Sequence, residues 1–420
     1  MNGLIDTVRD QTEYLSFMKG SRFFRPDYER ALSGVFPTIF EILDRPMEGY
    51  ASLVHCLPDQ SPRKAKRVLL FCIDSFGFDH LALSSRFRDL YPQYGTWLTS
   101  VFPTITSCAL TSIYQGLSPG RHGITGHLIW KDSPGAVVDM LKMQVVGAEV
   151  QLNASGFDLN QWKREQGILE SGCEGTCKGF HLMPEPIVNS GLSTYTYGHT
   201  RRIGYLNFLE GLEKAARMLT DIDLGWVGLY TPEIDTLTHV MGTTVPEVGQ
   251  LTRHMETGLS RMAARLPRQV LEETVLVVVA DHGQSNIQEK IAMEGEPMAW
   301  LEANTQAIGY SGRVMHLYTG KKDPGPVHRW MTDFIGDRGV VLTFEEALPL
   351  LGETPDKHFA RQSLGDLVVL LHEGINWQKH PYDPLASPYS SQLVAQHGSL
   401  SWDELFIPFL VAPLSAMLME

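Results

Sequence analysis

Residues 275–285, VLVVVADHGQS, place six apolar residues directly ahead of Asp281 and His282. The length of the run and its valines read as a buried strand that opens into a loop. Burying a carboxylate and an imidazole together at a strand end is costly unless a ligand compensates them. This pair is therefore the strongest single motif in the chain.

Four further apolar runs, at 68–73, 226–230, 367–371 and 406–411, read as buried strands. Helical patterns intervene at 109–114, 206–219 and 245–266, and such alternation argues an α/β fold. The expectation is a central, mostly parallel sheet with helices on both faces and an inserted cap. Ligands of such a sheet belong at the carboxyl ends of its strands. Asp74 follows the run at 68–73, Asp235 lies just past 226–230, and Asp281 closes the third.

The other motifs are weaker alone. In VLLFCIDSFGFDHL (68–81), Asp74 emerges from apolar sequence and needs a partner or a cap role, while Asp79 and His80 read as surface helix residues. In VFPTITSCALTSIYQ (101–115), Pro103 breaks the strand, and Thr104 or Thr106 is either an N-cap or a hydroxyl nucleophile at a helix start. A helix N-terminus also offers free N–H groups to phosphate oxygens. In YTPEIDTLTHVMG (230–242), Asp235 and His239 are four apart, so a helix turns both to one side, toward one ion or toward solvent. His397, in AQHGSLSWDELFIPFLV (395–411), precedes a strand, and read alone it is an ordinary loop histidine.

The chain has 420 residues, 43% of them hydrophobic and 20% charged, which suits one large domain or a domain with an insertion. Its formal charge of -13 gives no global field for a nucleic-acid polymer or an anionic membrane, while leaving a small anionic substrate allowed at a metal site. The first 17 residues, MNGLIDTVRDQTEYLSF, lack the pattern of a secretory signal, and no apolar run is long enough for a membrane span. Five cysteines, an odd count, fit reduced thiols and a cytoplasmic location, with a Cys173–Cys177 zinc clip or disulfide as the minor reading. Residues 1–60 read as a helical N-terminal extension with a packing role. The catalytic domain then spans 61–420, with cap insertions at about 131–205 and 290–395.

Taken in order, the motifs around Asp74, Thr106, Asp235, Asp281 and His397 resemble the alkaline phosphatase superfamily, and within it the type I phosphodiesterase and nucleotide pyrophosphatase family. The likeness covers roughly 66–130, 222–290 and 395–412. It implies two divalent cations, one held by Asp74, Thr106, Asp281 and His282, the other by Asp235, His239 and His397. It also implies Thr106 as nucleophile and a phosphothreonine intermediate in phosphodiester hydrolysis. Mixed oxygen and nitrogen ligands suit zinc, with manganese or iron as substitutes and magnesium less suited.

One departure stands out. Nucleotide pyrophosphatases of this family carry an asparagine three residues after the nucleophile, where this chain has Ala109. The missing donor is then replaced by backbone N–H groups, by the metals or by a side chain from the cap, for which Tyr197, His199, Arg201 and Arg202 in TYTYGHTRR (194–202) are candidates, the other reading of that stretch being a solvated turn. A phosphomonoesterase or phosphonate hydrolase shares the same ligand set. Cys108–Ser112 does not match a sulfatase turn. The alternative from another class is a non-catalytic protein that binds a phosphorylated ligand, and retention of the threonine argues against it.

Overall fold

The structure is a computed structural model that describes residues 2–17, 22–172, 177–378 and 392–418. The main sheet comprises β1 (Arg67–Ile73), β2 (Gly95–Thr99), β3 (Lys178–Pro184), β4 (Arg201–Tyr205), β5 (Gly225–Thr231), β6 (Thr274–Val279) and β7 (Phe406–Pro413). Their spatial order is β2-β7-β6-β1-β5-β3-β4. Strands β4, β3, β5, β1 and β6 are parallel to one another, and β7 runs antiparallel to both of its neighbours. The sheet is thus mixed and mostly parallel, as the alternation of strand and helix indicated.

Every residue of β1, β5 and β6 is buried. Both faces are covered, which is why these strands carry continuous apolar runs rather than alternation. On one face Trp226, level with Val68, meets Phe36 edge-on at 4.9 Å. Phe36 belongs to α1 (Val35–Ile42) and lies 5.2 Å from Tyr114 of α2 (Thr106–Gln115). On the other face Phe71 lies 5.6 Å from Phe208 of α3 (Phe208–Asp221). Helix α1, within the stretch read as an extension, is buried at all positions but Glu41 and belongs to the main core.

A second seven-stranded sheet lies apart from the first and has its own core, including Met315, Leu317, Val369 and Leu371. Its order is Gly339–Thr343, Leu367–Leu371, Val314–Tyr318, Ala307–Ser311, Leu128–Lys131, Ala136–Asp139, Gln144–Val145. The run at 367–371 is therefore a buried strand of this second sheet, because an apolar run does not say which sheet it joins. The stretch 131–205, read as an insertion, ends in β3 and β4 of the main sheet. Strand β4 forms the sheet edge and starts on an exposed arginine, so its composition looks like loop. Cys177 is buried, and Cys173 lies outside the described residues. No described helix is long and apolar enough to cross a membrane.

Candidate metal centre and nucleophile

Three chain segments leave the carboxyl end of the main sheet side by side. Asp74 follows β1, Asp281 and His282 follow β6, and Asp235 and His239 lie one turn apart on α4 (Glu233–Met241), which follows β5. Ligand atoms of Asp74, Asp281 and His282 lie within 4.8 Å of one another, as do those of Asp235, His239 and His397. The first group is fully enclosed, whereas Asp235 and His239 each keep 18% of their side-chain surface in contact with solvent. The centre therefore opens on the Asp235 side. The i,i+4 spacing works as the helix geometry requires, with His239 Nε2 3.2 Å from Asp235 Oδ1.

The histidines share one arrangement. His239 Nδ1 donates to Ala395 O at 2.9 Å, His397 Nδ1 to Thr104 O at 2.8 Å, and His282 Nδ1 faces Gly283 O at 3.1 Å. A carbonyl only accepts, so the proton sits on Nδ1 and the lone pair on Nε2, which faces inward. This is the tautomer and tether found behind metal-ligating imidazoles. Burial lowers the pKa of His282 to about 4, and burial with the His282 charge lowers that of His397 to about 3, so both rings are neutral near pH 7.

The carboxylates carry the opposite problem. Burial, then the charges of Asp281 and Asp235, raise Asp74 well above the usual carboxylate range, and burial pushes Asp281 up to about 6. Burial would raise Asp235 too, but His239, His397 and His282 outweigh it and hold its pKa low. Asp74 Oδ1 and Asp281 Oδ2 are buried without a hydrogen-bond partner among the described residues. An uncompensated buried charge costs several kcal/mol. Inward lone pairs on imidazoles next to orphaned carboxylate oxygens are what a divalent cation requires, so these residues fit such an ion.

Thr106 is the first residue of α2, and its Oγ1 is 3.2 Å from His282 Nε2. Thr104, the other hydroxyl weighed, is occupied in structure: its Oγ1 donates to Ser399 O at 2.8 Å and accepts from Gly398 N at 3.0 Å. Ala109 is buried in α2 and offers no side-chain donor. The side-chain candidates from 194–202 fall in different places. Tyr197 is buried in the core, 4.6 Å from the Tyr114 ring and 4.2 Å from His181. His199 and Arg201 are exposed. Arg201 is level with Phe180 and Val227, hence with Leu69, on a strand three removed from β1. Strand spacings put it roughly 20 Å from the carboxyl end of β1. His80, read as a surface residue, is buried and accepts from Gly77 N at 3.2 Å.

Several supporting residues escaped the sequence reading. Ser75 donates its Oγ to Asp235 Oδ1 at 2.7 Å and its N–H to Asp281 Oδ1 at 3.0 Å, tying the two groups together. It does so at φ 62°, a left-handed conformation rare for serine. Gln284 Nε2 donates to the same Asp235 oxygen at 2.7 Å, and the Tyr230 hydroxyl donates to Asp74 Oδ2. Ser75 and Gln284 sit beside recognised motifs, which was a usable signal. Tyr230, within a strand, is indistinguishable in sequence from a packing aromatic.

Residues 68–164 and 189–400 match the sequence model of the type I phosphodiesterase / nucleotide pyrophosphatase family. The chain belongs to this family. Its members are hydrolases acting on phosphoester bonds. No curated protein matches by sequence. Among solved structures, murine ectonucleotide pyrophosphatase/phosphodiesterase 5 is similar at 16% identity and TM-score 0.58, over 82% of this chain and 87% of that one. An inactive variant of the same murine protein in complex with AMP matches over 83% and 88%, again at 16% identity and TM-score 0.58. Phosphonoacetate hydrolase from Sinorhizobium meliloti 1021, in complex with phosphonoformate, is 16% identical at TM-score 0.56, over 85% and 95%. At these identities the structural likeness concerns the fold.

Proposed function

We propose that this family member is a phosphodiester hydrolase that uses two divalent cations, zinc foremost, and Thr106 as nucleophile. The observation that supports this most directly is the pair of adjoining ligand groups with Thr106 Oγ1 at the edge of the enclosed one. Asp74, Asp281, His282 and Thr106 would hold one ion, and Asp235, His239 and His397 the other. Bound there, the ions would supply Lewis-acid stabilisation of charge on the attacking and leaving oxygens.

The chain's own residues then do the following. The Thr106 Oγ–P bond forms as the ester P–O bond breaks, the Thr106 proton is lost and the leaving oxygen gains one. Water then cleaves the phosphothreonine, returning the threonine hydroxyl and releasing the phosphorylated product. The start of α2 points its leading N–H groups at the phosphoryl oxygens, in place of a side chain at Ala109. The backbone carbonyls of Ala395 and Thr104 hold His239 and His397 in the ligating tautomer throughout. The second sheet, built from both stretches expected to insert, would act as the cap over this centre. A small phosphorylated substrate, such as a nucleotide, fits this reading, as does a cytoplasmic location for a chain with an odd number of cysteines.

The test is hydrolysis of bis-p-nitrophenyl phosphate against p-nitrophenyl phosphate by zinc- or manganese-loaded protein, beside Thr106→Ala. Diester turnover that disappears in the variant supports the reading, and monoester preference moves it to a phosphatase. Absence of any turnover in protein carrying two metal equivalents would favour a phospho-ligand binding protein.

A further inference from the structure

Gln284, which donates to Asp235, also lines a small cavity whose walls include Asp79, His80, Thr243 and Asp403. Its space of about 10 Å³ is at the lower end of what one water molecule needs, and too small for an organic ligand. Two buried side-chain atoms of the lining residues have no hydrogen-bond partner among the described residues, His80 Nε2 and Gln284 Oε1. The two residues are 1% and 3% exposed. Protein interiors rarely leave such atoms unpaired, because each has lost its bonds to bulk water.

The bonds already made by each residue decide what these atoms can do. His80 Nδ1 accepts from Gly77 N at 3.2 Å, and burial keeps the ring neutral near pH 7, so its proton sits on Nε2. The carbonyls of Ser75 and Thr243 favour its protonated form, yet Nε2 bonds to neither. Gln284 Nε2 donates to Asp235 Oδ1 at 2.7 Å. A carboxylate only accepts, so the amide oxygen is the end turned away from Asp235. His80 therefore offers the cavity a donor and Gln284 an acceptor, and water satisfies both. The carboxylates of Asp79 and Asp403 in the same wall would suit a cation, but a cation there would meet the His80 N–H.

We propose that this cavity binds one water molecule, which accepts from His80 Nε2 and donates to Gln284 Oε1, making His80 a positioning residue for Asp235. Oxygens of Thr243, Asp79 and Asp403 in the wall are acceptors for its second proton. The contacts run from the short helix Phe78–Leu83 through the water and Gln284 to the Asp235 oxygen that Ser75 also holds at 2.7 Å. An amide held at both ends presents its N–H to Asp235 in one orientation, whereas one free at its oxygen end can turn away. Groups that stand behind a metal ligand in this manner change metal affinity by about tenfold or more. The water site stands without any metal, and its effect on the ion of the Asp235 group rests on the two-metal reading.

A high-resolution crystal structure of the wild type should show one ordered water within hydrogen-bond distance of both His80 Nε2 and Gln284 Oε1, and its absence there would overturn the site. The role of His80 is read from zinc affinity at the Asp235 group, by competition with a chelator. His80→Asn keeps an acceptor for Gly77 N but loses the Nε2 arm, and should weaken that ion about tenfold. His80→Gln loses the Gly77 bond but carries an amide donor to the Nε2 position, and should keep most of the affinity. Gln284→Met should weaken the ion at least as much as His80→Asn, and the two together no further than Gln284→Met alone, because His80 acts only through Gln284. Additive losses, unchanged affinity in His80→Asn, or equal weakening by His80→Gln would overturn the positioning role. Should wild type hold no second ion, the two-metal reading fails separately, and the crystal structure alone decides the water site.

Discussion

The imidazoles of His282 and His397 lie 3.8 Å apart between ring centroids and 17° from parallel, each from a different ligand group. Two charged rings could not stack this way in a buried site, and burial holds both neutral with Nε2 inward. The stack places the two groups in one centre rather than two.

Metal content should divide along the same line. Wild type dialysed against excess zinc should retain two equivalents, His397→Ala should keep only the ion of the Asp74 group tightly, and Asp74→Asn should keep only the other. Loss of both ions in either variant, in folded protein, would show that the groups do not bind separately.

Arg313 and Glu404 form an ion pair at 1% and 0% side-chain exposure behind the His397 loop. Glu404 also accepts Ser399 N at 3.0 Å, and Arg313 N donates to His397 O at 3.1 Å. Arg313→Met alone should destabilise by about 3–5 kcal/mol, because it leaves a buried carboxylate unpaired, whereas Arg313→Met with Glu404→Leu should recover most of that. Urea midpoints of the two variants measure it, and equal destabilisation by both would contradict the account.

Lys131 is buried, with Nζ donating to Ser363 Oγ at 2.9 Å and Gly123 O at 3.2 Å. Burial, then the Arg164 charge, lowers its pKa from 10.5 to about 7. Between those values only the unfolded chain holds the proton, so this group adds stability as pH rises through the window and opposes folding below it. The difference is on the order of a few kcal/mol. Lys131→Met should therefore be more stable than wild type at pH 7, with the gap shrinking toward pH 10. Parallel pH profiles for the two proteins would sink the idea.

Ser75 separates backbone strain from hydrogen bonding. Ser75→Ala keeps φ at 62° but loses the Asp235 contact, while Ser75→Gly also loses the contact and relieves the strain. Glycine should exceed alanine in stability by about 1 kcal/mol, with both impaired in metal affinity at the Asp235 group. Thermal melts and zinc titration check the two halves.

The legible parts of this molecule are those where burial forces continuous apolar sequence. Residues 68–73, 226–230 and 275–280 gave away their strands, and the polar residues just beyond them were conspicuous because the preceding run left them no other excuse. The second sheet was illegible as such, since nothing in the run 367–371 distinguishes its partners. Strand β4 was hidden because an edge strand can afford Arg201 at its start. Proximity in sequence to other charges drew attention to His199 and Arg201, but strand register, which is a long-range property, puts Arg201 far from the centre.

Strand β7 enters the sheet between β2 and β6 although every other strand precedes it in the chain. During synthesis, β2 must wait through more than two-thirds of the polypeptide for the neighbour to which it bonds, and the loop bearing His397 arrives only just before that neighbour. A ribosome that stalls before Phe406 therefore leaves a nascent product whose sheet is open between β2 and β6 and whose His397 loop has no strand to follow it.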